Sequence, residues 1–450
     1  MAATTYLSNN LPNNSSGNHK FTYSCWVKRA DLGGECFLLQ FYNDDGNRCG
    51  FRFNADNTIA TYDRLGNSTT MYKASNAVFK DTSAWYHCVL AVDRSLSTAE
   101  DRVKVYVNGE QITSWGTNTN YSNQNQTSVA NSTGNVYINT YDTSQSKFSM
   151  LLSHVHFCDG QQLAPTVFGQ TDTTTGEWKI ITDPSFTPGT NGFTILKDGN
   201  TITDQSANSN DWTLAGGTLT NMVDNPSDNF ATVNISYYSA ENVNATGIHF
   251  CNTGVNQSGT AAPFYSTIAV PSGKYYWEGF VETVGTNNMH GVHRTQDISQ
   301  ATNAGNPANG TYGYAYRSDG SKFNGGAATS YGNSFTTGDY VSVAYDATNG
   351  AIWFAKNGTW QNSATTSEIA AGTTTNAAFS SMPTNGVFYT PYTYLDNSGV
   401  VRFNFGNGVF GATALTGTTY SPTVGSTSAK FKYNIVPSGF AALSTKGLNA

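Results

Sequence analysis

Charge is scarce in this chain. Lys, Arg, Asp and Glu make up only 12% of the 450 residues, 23 basic against 30 acidic, for a net charge of -7. The few basic residues are scattered, so no stripe marks the footprint of a phosphate backbone, and nucleic acid is not expected as a partner. Long apolar runs are missing too. Nothing approaches the roughly 18 consecutive apolar residues of a membrane span. The opening MAATTYLSNNLPNNSSG is polar and lacks the apolar core of a secretion signal, so synthesis and folding in a cytoplasm are expected. No CxxC pair occurs. Of the six cysteines, Cys25, Cys36, Cys49, Cys88, Cys158 and Cys251, several lie in strand-like runs, and all six are expected as buried reduced thiols. A disulfide framework is disfavoured in a reducing compartment. GxSxG is absent, which excludes the serine-hydrolase elbow.

What remains is a chain rich in Asn, Thr, Ser and Gly, with 44 Gly, 26 Tyr and 25 Phe. Such residues favour turns and half-buried strands over helices. With aromatics at 13%, the composition can fill cores and is not that of a disordered chain. The length allows two to four domains.

Two segments carry the clearest local signal. In DRVKVYVNGEQIT (101–113), Val103, Val105 and Val107 alternate with Lys104 and Tyr106, and Asn108-Gly109 follows. In AIWFAKNGTWQ (351–361) the pair is Asn357-Gly358. Asn-Gly between alternating runs predicts a hairpin with a type I′ turn, because both residues accept positive φ. Other strand runs recur from 20 to 160: FTYSCWVKR, CFLLQFY, CGFRFN, TIATYD, WYHCVLAVD, NVYIN and MLLSHVHFC. Short strands at regular spacing with Gly/Asn/Asp turns predict a sandwich. A second set, from SGKYYWEGFVE to VVRFNFG, predicts another.

The expected organisation is all-β: a sandwich over 1–165, a β-rich connector over 166–235, a second sandwich over 236–411 and a short tail over 412–450. In the connector Trp178, Phe193 and Trp212 serve as apolar anchors, so it is expected to pack on a neighbour. The tail offers a PSGF turn followed by a short helix.

Candidate chemistry is sparse. In WEGFVE, Glu278 and Glu282 would share a strand face, but the central Asp of an ExDxxE glycosidase pattern is replaced by Phe280, and an ordinary strand is favoured. Gly406-Asn407-Gly408-Val409-Phe410-Gly411 matches GxGxxG without the following helix or acidic residue, so it reads as a turn. His154, His156 and Cys158 alternate and could hold zinc with a fourth partner, although a core face is favoured. His290 and His293 read as loop residues. Asp44, Asp45 and Asn47 could offer oxygens to calcium, the one cofactor left open, while a plain hairpin turn explains them equally and is preferred. Binding is expected on loops held by the scaffold, where aromatic faces pack on sugar rings and amides bond hydroxyls. The candidates are Trp115 and Tyr121 in SWGTNTNYSNQNQ, and Tyr316, Arg317, Asp319 and Tyr331 in GYAYRSDGSKFNGGAATSY.

FTYSCWVKR, WYHCVLAVD, DRVKVYVNGEQI and the closing LLSHVHFCDGQQLAPTVFG together resemble a LamG-like, concanavalin A-like jelly roll. SGKYYWEGFVE, GYAYRSDGSKFNGG, SYGNSFTTGDYVSVAYD, AIWFAKNGTWQ and VVRFNFGNGVF resemble a SPRY domain, again a concanavalin-like sandwich. The order, with TDTTTGEW, DNPSDNFATVN and the ending YNIVPSGFAALSTKGLN, is similar to that of modular phage structural proteins. The resemblance implies a non-enzymatic virion protein, a tail fibre or head fibre displayed on the particle surface. It implies as partners other virion proteins, further copies of itself with a trimer favoured, and a host-surface glycan or protein. The alternatives are a glycan-depolymerising enzyme and a purely architectural decoration protein.

Overall fold

A computed structural model describes residues 4–11, 19–119, 123–144, 147–234, 247–249, 254–256, 261–301, 311–396 and 398–450. The chain forms two compact units, Met1–Asn221 and Met222–Ala450, and both are built almost wholly from antiparallel sheets. Among the described residues no helix is long and apolar enough to cross a membrane.

The first unit is a sandwich. One sheet runs in the order Trp115–Thr119, Ser68–Val78, Thr58–Leu65, Asn47–Phe53, Cys36–Asp44, Gly134–Ile138, Tyr6–Leu11 and Thr213–Gly216. The other runs Phe193–Ile195, Met150–Asp159, Lys20–Arg29, Trp85–Asp93, Val103–Val107 and Glu110–Gln111. Alternation sends Phe21, Tyr23, Cys25 and Val27 into the core. There Phe21 meets Phe41 and Tyr23 meets Phe51 edge-on across the sheets, with centroids 6.1 and 6.3 Å apart. The Tyr23 hydroxyl donates to the Leu38 carbonyl at 2.8 Å, so the buried phenol is satisfied.

The opposite face of the Lys20–Arg29 strand is buried as well, because the segment after Asp159 folds back over it. His87 lies stacked between Trp26 (4.8 Å) and Trp178 (5.9 Å). The Trp178 indole donates to His87 Nδ1 at 3.0 Å. That contact makes Nδ1 the acceptor, so Nε2 carries the proton and donates to Ser24 Oγ at 2.8 Å. Phe193 and Trp212 pack together in the main core, 4.9 Å apart. The stretch expected as a connector is therefore divided: up to Asn221 it is sheet and cover of the first sandwich, and its remainder belongs to the second unit.

In the second unit one sheet runs Gly247–His249, Gly254–Asn256, Val400–Asn404, Lys274–Thr283, Tyr340–Asp346, Ala351–Lys356 and Thr359–Trp360. Facing it is Ala262–Tyr265, Tyr389–Leu395, Met289–Arg294, Gly313–Arg317, Ser321–Asn324 and Ala327–Ser330. Trp277, Val281, Val343, Tyr345 and Phe354 fill the space between them. The C-terminal residues are part of this unit. Ala441–Ala442 adds in parallel beside Tyr275 and Tyr276, Phe431 meets Tyr276 edge-on at 4.8 Å, and Thr445–Leu448 is the short helix.

Both Asn-Gly turns have the expected backbone. Asn108 and Gly109 stand at φ 50° and 83°, Asn357 and Gly358 at 49° and 79°. Cys25, Cys36, Cys49, Cys88 and Cys158 are free and buried; Cys251 lies outside the described residues.

Candidate functional site

Trp115 was expected on a loop. It instead opens an edge strand, Trp115–Thr119, paired to Ser68–Val78 with a register shift after the tryptophan. The shift is a bulge, which re-aims side chains at a sheet edge. The half-buried Trp115 and its strand neighbour Lys73 form one wall of a cavity of about 220 Å³ completed by Glu100, Gln111, Ile112 and Asn118. The Lys73 ammonium lies 4.9 Å from the indole centroid, a cation–π contact, and donates to the Val103 carbonyl at 3.3 Å. Burial pulls the Lys73 pKa down, and the Glu100 charge opposes that shift. The cavity thus offers an aromatic face, an ammonium, a carboxylate and two amides. Such groups can pack on a ring and bond hydroxyls. The cavity is smaller than the ~300–1,000 Å³ of drug-sized sites, so it suits one ring rather than a chain of them.

The other expected binding residues are placed differently. Tyr316 is fully buried and Tyr331 nearly so, both in the second core. The Tyr316 hydroxyl donates to the Asn333 carbonyl, and the Phe354 amide donates to the Tyr331 oxygen at 3.3 Å. The expectation of an open Tyr316–Tyr331 surface is therefore corrected: GYAYR is a strand whose second tyrosine points inward, and the polar residues around it conceal this. Arg317 and Asp319 pair with each other across a tight turn. Asp319 also accepts from the Ser321 amide and hydroxyl at 3.0 and 2.6 Å, and the Arg317 guanidinium, with these donors, holds its carboxyl well below the usual range. Tyr121 lies outside the described residues.

The Asp44–Asn47 segment is a hairpin turn. Asp44 accepts from the Gly46 amide at 2.7 Å and from the Asn47 side chain at 3.0 Å. Asp45 Oδ1 accepts from Tyr141 at 2.9 Å and Arg48 at 3.0 Å. A cation at these oxygens would have to displace those donors. Among the described residues no group of three His, Cys, Asp or Glu side chains gathers as a metal set. His156 stacks on Phe168 at 5.6 Å, with Nδ1 3.0 Å from Thr194 Oγ1. His154 sits at φ 49° on a bulge that breaks the alternation. Far from being loop residues, His290 and His293 lie in the strand Met289–Arg294 and are buried.

The carboxylates Glu278 and Glu282 share the outer face of the second unit's larger sheet, but only one reaches solvent. Glu278 is fully buried. It accepts from the Lys432 amide at 2.9 Å, the Tyr433 amide at 3.1 Å, the Asn404 side chain at 3.2 Å and the Tyr276 hydroxyl at 3.1 Å. Glu282 is exposed and pairs with Arg402 at 2.6 Å. An acid under four donors and a covering segment has no path to a glycosidic bond, whereas a glycosidase needs both carboxyls at the bond. In GNGVFG, Asn404 Oδ1 accepts from the Gly406 and Gly408 amides at 3.0 and 3.1 Å. A hairpin of Val409–Phe410 with Thr413–Ala414 follows, where a dinucleotide site would need a helix.

Residues 3–168 match the family model of the concanavalin A-like lectin/glucanases superfamily, its laminin G type, and residues 274–408 match that of the SPRY domain. The chain carries a LamG-like domain and a SPRY domain. Among solved structures, the SPRY domain of human HERC1 is similar at 20% identity over 34% of this chain and 87% of that one, with a TM-score of 0.26. The native heptameric SAP-like pentraxin from Limulus polyphemus is similar at 14% identity over 36% and 71%, with a TM-score of 0.27. A human SPRY domain is similar at 17% identity over 34% and 90%, with a TM-score of 0.26. No curated protein matches the chain. The Trp115 cavity lies in the LamG-like domain, while Glu278 and its donors lie in the unit that carries the SPRY domain.

Proposed function

We propose that the chain is a non-enzymatic protein of a phage particle surface, a tail fibre or head fibre that holds the particle to a host-surface glycan. The order of the two domains and the segments around them supports the virion reading, through their likeness to modular phage structural proteins. The observation that carries binding over catalysis is the Trp115 cavity, with its indole face, the Lys73 ammonium and the amides of Gln111 and Asn118. The burial of Glu278 speaks against the depolymerising alternative. The assembly proposed is a cyclic trimer attached to other virion proteins, since fibres are commonly closed rotational oligomers. The protein would be made in the host cytoplasm and end on the virion surface, with no resident cofactor. Antibody-gold labelling of intact particles tests the placement. Label on an appendage is expected, and particles that carry none of this chain would overturn it.

A further inference from the structure

We propose a second ligand site, on the outer face of the second unit, that takes a carboxylate-bearing sugar. Phe431 and Phe440 close over Tyr276 and Trp353, and beyond Glu278 residues 412–416 and Lys432 stand apart as the walls of a groove. There Phe280, Glu282, Tyr340, Arg402, Phe410 and Lys432 line a groove of about 570 Å³, within the ~300–1,000 Å³ of small-molecule sites.

The groove is built on an aromatic cluster. Phe280 lies 4.7 Å from Tyr340 and 6.2 Å from Phe410, and Tyr340 meets Phe410 edge-on at 5.2 Å. Phe280 and Tyr340 are only half-buried, so rings that would ordinarily be covered face the groove. The charges at its rim are unequal. Arg402 is neutralised by Glu282 at 2.6 Å. Lys432 has its ammonium 4.8 Å from the Tyr340 centroid and makes no ion pair among the described residues. Its main chain is held from behind, because its own amide is bonded to the buried Glu278. The groove therefore joins an aromatic cluster to an ammonium that pairs with no carboxylate among the described residues. A pyranose stacks on such a cluster, and a carboxylate on that ring meets the ammonium as a charge-assisted contact.

This site shares no residue with the Trp115 cavity and does not depend on it. Calorimetric titration of the full chain with oligogalacturonate and with a neutral galactose oligomer of equal length tests it, alongside K432Q, Y340A and W115A. The acidic oligomer is expected to bind at least about tenfold tighter than the neutral one, the size of one charge-assisted hydrogen bond. K432Q should remove that preference and Y340A should weaken both ligands, while W115A should keep the preference for the acidic oligomer. Thermal melts of each variant establish that it is folded, and K432Q, a change at a partly exposed side chain, should melt with the parent. Equal binding of the two oligomers, no binding of either, an undiminished preference in folded K432Q, or tighter binding of a polyglutamate peptide would overturn the proposal.

Discussion

The amide of Lys432 donates to Oε2 of Glu278 at 2.9 Å, across 154 residues of sequence. Tyr433 donates to the same carboxyl at 3.1 Å. One buried acid thus anchors the C-terminal segment to the sheet. Burial nevertheless pushes the Glu278 carboxyl up to about 7, against the opposing pull of its donors. A carboxyl whose folded pKa is raised adds stability below its unfolded value, near 4.5, and loses it as pH rises through the folded value. The difference in melting temperature between parent and E278Q should therefore shrink or change sign between pH 4.5 and 7.5. A pH-independent difference would contradict this.

Arg94 and Asp63 form an ion pair at 2.7 Å with both side chains almost wholly buried. Burial pushes the Asp63 carboxyl up, and the Arg94 charge opposes it. Removing one partner of such a pair leaves an uncompensated charge. R94M should cost about 3–5 kcal/mol in urea unfolding of the first unit. R94M combined with D63L should recover much of that loss. A double variant that costs the sum of R94M and D63L measured singly would show that the pair is not coupled.

The two turn glycines are each covered by an aromatic ring from a later segment. A Cβ on Gly109 would stand 2.5 Å from the Trp178 ring, and one on Gly358 2.6 Å from the Tyr433 ring. Both residues also hold positive φ. Each change to alanine should cost about 2 kcal/mol or more, combining roughly 1–2 kcal/mol of left-handed strain with displacement of the ring. Denaturant midpoints of G109A and G358A that match the parent would contradict the packing described.

Burial pulls His87 down to about 3 and His154 to about 4, and holds His156 well below the usual imidazole range. Groups whose folded pKa is depressed stabilise above the unfolded value, near 6.5, and lose that contribution as pH falls. Amide exchange in Trp85–Asp93 and Met150–Asp159, corrected for its intrinsic rate, should accelerate from pH 6.5 to 4. Constant protection over that range would contradict it.

How much of this was legible in the sequence varies with how local the cause is. The Asn108-Gly109 and Asn357-Gly358 hairpins were legible because turn chemistry is set by adjacent residues. FTYSCWVKR read as a strand because alternation survives even where both faces are covered. Trp178 was legible as an anchor that packs on a neighbour, but that its partner is His87, stacked on Trp26, was not, since nothing near Trp26 specifies it. Tyr316 was misplaced because Arg317, Asp319 and Ser321 give a buried strand the look of a loop. Trp115 was found as an aromatic in a polar run, but its cavity needs Lys73 and Glu100. The groove at Phe280 draws on residues as far apart as 280, 340, 402, 410 and 432, and no local pattern joins them. Glu278 was visible as an acid in a strand, while its donors come from residues 404, 432 and 433.

Binding of the purified chain and of W115A to surface glycans of susceptible cells tests the central claim most directly. The account predicts saturable binding by the parent, weakened about tenfold or more in W115A with the fold retained. Equal binding by the two proteins, or none by either, would contradict it.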